Sequence, residues 1–135
     1  LYVLAGGDGV DSNSQTQYSG ILFAGGRSVI ISTGRADSSI DTERGYKYTG
    51  GYVVGIGLSG GMGNESTMCQ NFTSVGKKTT LNLASGSYLS VSGIVTVKMP
   101  SVMNALVVLL GSTSADISVG GQISGLDGNG VAWEK

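Results

Sequence analysis

Tyr88-Leu89-Ser90-Val91-Ser92-Gly93-Ile94-Val95-Thr96-Val97-Lys98-Met99 is the stretch that decides the fold class. Its apolar residues recur with a period of two rather than 3.6, which sets Val91, Val95 and Val97 on one face of a strand. Gly93 interrupts the pattern, and a bulge or a close backbone approach is expected there. Upstream, Lys78–Ala84 alternates in the same way, with Thr79, Leu81 and Leu83 sharing a face. Downstream, Ile117-Ser118-Val119 and Gln122-Ile123-Ser124 flank Gly120-Gly121, which reads as a hairpin turn.

Other runs are apolar without alternation: Ser28–Thr33, Tyr52-Val53-Val54 and Leu106–Leu110. Such runs suit strands buried on both faces, or strands with the core on one side and a neighbouring subunit on the other. Leu1–Ala5, Gly20–Ala24, Thr67–Phe72 and Val131–Trp133 add further candidates. No window offers a cap, an apolar helical stripe and a stop in order, and the best helix candidate is the short Asn64–Gln70. The expectation is one all-β domain spanning residues 1–135, an antiparallel β-sandwich or jelly roll of about 8–10 short strands with Gly-rich turns. The Gly-Gly pairs at 6–7, 25–26, 50–51, 60–61 and 120–121 show no common spacing, so no solenoid or propeller repeat is expected.

Composition narrows the function classes. Charged residues make up 13% of the chain and the net charge is −1, while 24 of 135 residues are glycine. An ordinary soluble domain carries about 25% charged residues, so this surface is weakly protected against association. A hydrophobic share of 40% is too high for a disordered chain. The eight Lys and Arg are scattered, with Lys77-Lys78 the one adjacent pair, so no basic stripe awaits nucleic acid. The most apolar stretch, Val102–Leu110, is too short to cross a bilayer as a helix, and no membrane insertion is expected. The single Cys69 forms no intrachain disulfide and reads as a small buried hydrophobe. The sequence starts at Leu1 without methionine or a readable leader, so the chain is processed, trimmed or incompletely represented.

Several motifs match chemistry in spelling alone. Gly55-Ile56-Gly57-Leu58-Ser59-Gly60 follows a strand, as a dinucleotide-binding turn does. It precedes no helix start, however, and no acid lies about 20 residues on to hold a ribose. Gly57-Leu58-Ser59-Gly60-Gly61 spells a nucleophile elbow, but the chain has no histidine to take the serine proton. The same lack removes Cys-His catalysis at Cys69 and most zinc sites. Ser74–Lys77 has the spacing of a serine–lysine pair but sits in an expected turn. Asn64-Glu65-Ser66 and Asn71-Phe72-Thr73 fit the glycosylation pattern at no more than a chance rate.

The loop carboxylates remain. Asp8, Asp11 and Asn13 form a weak calcium candidate, since calcium takes loop oxygens, although the spacing matches no helix-loop-helix site. Otherwise no metal and no cofactor is expected, and no catalytic residue is named. Arg44, Tyr46 and Tyr48, with Asp37 and Asp41, are the binding candidates, because aromatics beside polar groups suit a sugar. Val107, Leu109 and Trp133 are the interface candidates. The reading is a non-enzymatic structural protein that works by self-association, as a homo-oligomer or in a larger assembly. A virion component (capsid, decoration or tail-fibre domain) or a surface-fibre subunit is expected, extracellular or on a virion surface. A carbohydrate-binding or adhesin module acting on a glycan is the alternative.

Overall fold

The computed structural model describes residues 1–59, 65–120 and 124–135. Among them the chain is nearly all strand and turn, with one helical turn, α1 (Phe72–Val75). All-β character is therefore as the alternation implies. The arrangement of the first half is different from the expected antiparallel sandwich.

Residues 1–58 wind into stacked rungs. The first holds β1 (Tyr2–Ala5), β2 (Val10–Ser12) and β3 (Leu22–Phe23). The second holds β4 (Arg27–Ser32), β5 (Ile40–Thr42) and β6 (Lys47–Tyr48), and β7 (Tyr52–Leu58) opens a third. Each strand pairs in parallel with its counterpart one rung on: β1 with β4, β4 with β7, β2 with β5, and β3 with β6. Leu22 meets Lys47 and Arg27 meets Tyr52, each partner 25 residues along, whereas Val10 meets Ile40 at a distance of 30. The exclusion of a solenoid repeat is thus overturned for this half. Gly25-Gly26 and Gly50-Gly51 mark equivalent corners, each just ahead of a β-branched strand. Both Gly26 and Gly51 hold positive φ, at 76° and 86°, where a side chain would strain the corner.

The second half is antiparallel. It comprises β8 (Gly76–Leu83), β9 (Tyr88–Val91), β10 (Val95–Lys98), β11 (Met103–Leu110), β12 (Ile117–Val119) and β13 (Val131–Trp133). β11 pairs with β7 and with β8, extending the parallel ladder into a five-stranded sheet ordered β1-β4-β7-β11-β8. β9 and β10 form a hairpin inside a four-stranded sheet ordered β12-β9-β10-β13. Gly93, at φ 75°, lies in the tight turn of that hairpin rather than in a bulge. Thr67–Phe72, expected as a strand, is a turn with a single bridge at Cys69 leading into α1.

The three central strands of the five-stranded sheet, β4, β7 and β11, are buried on both faces by their own chain. Val29, Ile31, Val54, Ile56, Val107 and Leu109 point one way, into a core closed by Leu89, Val91, Val95 and Val97 of the four-stranded sheet. Ile30, Val53, Val108 and Leu110 point the other way, into the rung interior, where Ile40, Tyr46 and Cys69 meet them. This explains the runs that did not alternate: both parities are buried, each such side chain contributing roughly 1.5–3 kcal/mol. It also removes Val107 and Leu109 as interface residues, because each is fully buried within the single chain. No helix among the described residues is long and apolar enough to cross a membrane.

Candidate functional site

Three places in the described structure carry chemistry: an acidic corner, a buried acid at the closed end of the rungs, and the open end of the first rung. The acidic corner follows from strand periodicity. In the β2–β5 ladder Ile40 points into the rung, so Asp41 and its partner in register, Asp11, point out. Asp8 arrives from the preceding loop, anchored by the Ser38 N–H, which donates to its Oδ1 at 2.8 Å. One oxygen from each of the three lies within 4.8 Å of the others.

The crowding has an electrostatic consequence. Partial burial, then the Asp8 charge and a hydrogen bond to Asp8, raise the Asp41 carboxyl to about 6, with Asp11 and Glu43 adding to the effect. Asp41 therefore keeps its proton in mildly acidic solution, with its carboxyl hydrogen-bonded to Asp8. Surface hollows among the described residues lie around Lys98, Pro100 and Asp127, around Ser112 and Ser114, and beside Trp133 and Phe72. Asn13, grouped in sequence with Asp8 and Asp11, is exposed just past the end of β2, and the third acid is Asp41.

At the closed end, Glu65 is 2% exposed. Its Oε1 accepts from the Ser39 N–H at 3.2 Å, and its Oε2 has no hydrogen-bond partner among the described residues. Two glycines make the room. A Cβ on Gly57 would meet Glu65 Oε1 at 3.3 Å, and one on Gly55 would meet Ser39 Oγ at 2.6 Å. Gly55 and Gly57 thus serve packing inside β7, while Gly60, Gly61 and Asn64 of the sequence motifs lie outside the described residues. Nothing in the sequence marks Glu65 as buried, since Ser66 and Thr67 follow it.

The binding candidates are dispersed. Tyr46 is fully buried, edge-on to Phe23 with ring centres 5.8 Å apart, and its hydroxyl donates to the Glu65 carbonyl. Burial and the neighbouring Cys69 push its phenol well above the usual range. Tyr48 shares its face, half-buried, with the hydroxyl donating to the Gly51 carbonyl at 2.5 Å. The common face of Tyr46 and Tyr48 is therefore the inner one, and a sugar platform there is corrected to a core pair. Arg44 is exposed, Asp37 packs under Gly34, and Asp41 belongs to the acidic corner. Trp133 is half-buried beneath Arg27, whose guanidinium carbon is 5.4 Å from the ring centroid. Arg27 also donates to the Lys135 carbonyl and accepts from the Leu1 amino group, so these residues tie both chain ends to β4.

The open end is a matter of unpaired edges. The Leu1 and Ala5 carbonyls accept from Val29 and Thr33, so the amide groups of Tyr2 and Leu4 turn away from β4. By the same alternation Asp11 turns its amide group from β5, and Leu22 turns its own from β6. All three edges lie on the side of the rung opposite the second one. Leu1, Leu4 and Leu22 accompany them, 71%, 50% and 59% exposed. Residues 1–26 contain no Lys or Arg. Comparison with protein-family models, curated proteins and solved structures finds no match for this chain.

Proposed function

We propose that this chain is a non-enzymatic structural subunit that assembles through the open end of its first rung, with a second copy of the chain as the occupant. The observation that carries the reading is the set of three strand edges on one side, bordered by Leu1, Leu4 and Leu22 and free of basic residues. Natural sheets blunt such edges with lysine, proline or bulges, or else pair them. β1, β2 and β3 carry no lysine or proline; β2 and β3 are short and β2 holds Asp11, so β1, with Leu1 and Leu4 beside it, is the edge left most open to pairing. Edge pairing supplies main-chain hydrogen bonds, and the exposed leucines supply apolar contact. A building block of a virion or of a surface fibre, placed outside the cell, fits this low-charge chain.

Light scattering on a sizing column at two concentrations tests the reading. A mass at least twice 13.7 kDa that falls back to the monomer in Leu4→Lys/Leu22→Lys supports it. A wild-type chain that stays monomeric at high micromolar concentration overturns it.

A further inference from the structure

We propose that the segment Glu65–Gln70 is a pH-dependent latch on the closed end of the rungs, shut while the Glu65 carboxyl holds a proton and loosened when it ionises. Tyr46 donates its amide to the Met68 carbonyl at 2.9 Å and accepts from the Gln70 amide at 3.1 Å. The Tyr46 hydroxyl reaches the Glu65 carbonyl, and the Glu65 side chain accepts the Ser39 amide. Tyr46 and Ser39 thus carry hydrogen bonds between the latch and the second rung, and Met68 and Cys69 pack into the rung interior.

The carboxyl sits where an ion is poorly served. It is almost wholly buried, one oxygen accepts from the Ser39 amide, and the other has no hydrogen-bond partner among the described residues. A buried charge served by backbone amides alone costs far more than a buried neutral acid. The titratable groups around it are Asp8 from the β1–β2 loop, Tyr46 just ahead of β6 and Cys69 from the latch itself, with Asp11, Asp41 and Glu43 grouped beyond Asp8. No cation is among the described groups that act on it. Burial therefore raises its proton affinity, against the smaller opposing effect of the backbone amides, and Asp8 raises it further.

The direction of the switch follows. The latched form binds the Glu65 proton more tightly than an open form, where the carboxyl returns to its usual value of 4.5. Latching is thus complete below that pH and weakens as pH climbs towards the value in the latched form. Opening uncovers Cys69, which is 6% exposed when shut and gives the test its chemical readout.

The test is amide hydrogen exchange at Gln70, corrected for intrinsic rates, together with thiol labelling of Cys69 across pH 5–8. The opening constant is expected to rise by up to tenfold per pH unit within the linked range. Glu65→Gln, which keeps an acceptor for Ser39 without the charge, is expected to abolish that slope, and Asp41→Asn to leave it in place. A flat wild-type profile, or an unchanged slope in Glu65→Gln, overturns the proposal. Should Glu65→Gln fail to fold, carbon NMR of the wild-type carboxyl decides: a Glu65 ionised by pH 5 overturns the latch, and one still protonated at pH 6 supports it.

Discussion

Asp11 and Asp41 face each other in register across the β2–β5 ladder, two acids side by side with Asp8 close enough to share a proton with Asp41. Like charges opposed in a ladder destabilise it. Folded Asp41 titrates at about 6 instead of the usual 3.8, so the folded chain binds more protons between those values. The Asp41 contribution to stability is therefore full below about pH 4 and is lost as pH rises through 6. Asp41→Asn removes that part of the decline and leaves the part that comes from Glu65. Thermal melts should show Tm raised by about 2–4 °C at pH 7.5 and unchanged at pH 4.

Gly51 and Gly86 share positive φ but differ in surroundings. A Cβ on Gly51 would lie 2.4 Å from the Gly26 carbonyl oxygen, whereas one on Gly86 meets nothing within 4 Å. Gly86→Ala is expected to cost about 1 kcal/mol, the conformational penalty alone. Gly51→Ala should cost roughly 3 kcal/mol or more, since the corner between rungs must shift. Urea denaturation of the two variants checks the difference.

Leu109 stands at the centre of the five-stranded sheet with its side chain between the two sheets. Leu109→Ala should cost about 2–5 kcal/mol through the cavity it leaves. The loss should appear equally at low and high protein concentration, because the side chain lies inside one chain.

The sequence displays the second half of this fold more openly than the first. Alternation at Lys78–Ala84 and Tyr88–Met99 survives because each of those strands has one inner face, and β8, β9 and β10 lie where the pattern puts them. The rungs are harder to read. Their offsets of 25, 27 and 30 residues follow no single period, and corner strands such as Leu22–Phe23 are too short to carry one. The trace is Gly25-Gly26 and Gly50-Gly51, followed by Val29 and Ile31 over Val54 and Ile56. Period-two patterns also do not distinguish parallel from antiparallel partners, which is why a sandwich was the natural expectation. Asp8 and Asp11 are visible as loop acids, but Asp41 joins them only through rung stacking. Tyr46 reads as a platform because its alternation with Tyr48 reveals a shared face and not which side that face takes.

Hydrogen exchange at single amides, followed as protein concentration rises, tests assembly through the open end most directly. The unpaired amides of Tyr2, Leu4, Asp11 and Leu22 should exchange fast in dilute solution and become protected together as the mass increases. Protection that appears instead along β8 or β12, or a mass increase that leaves those four amides fast, would contradict it.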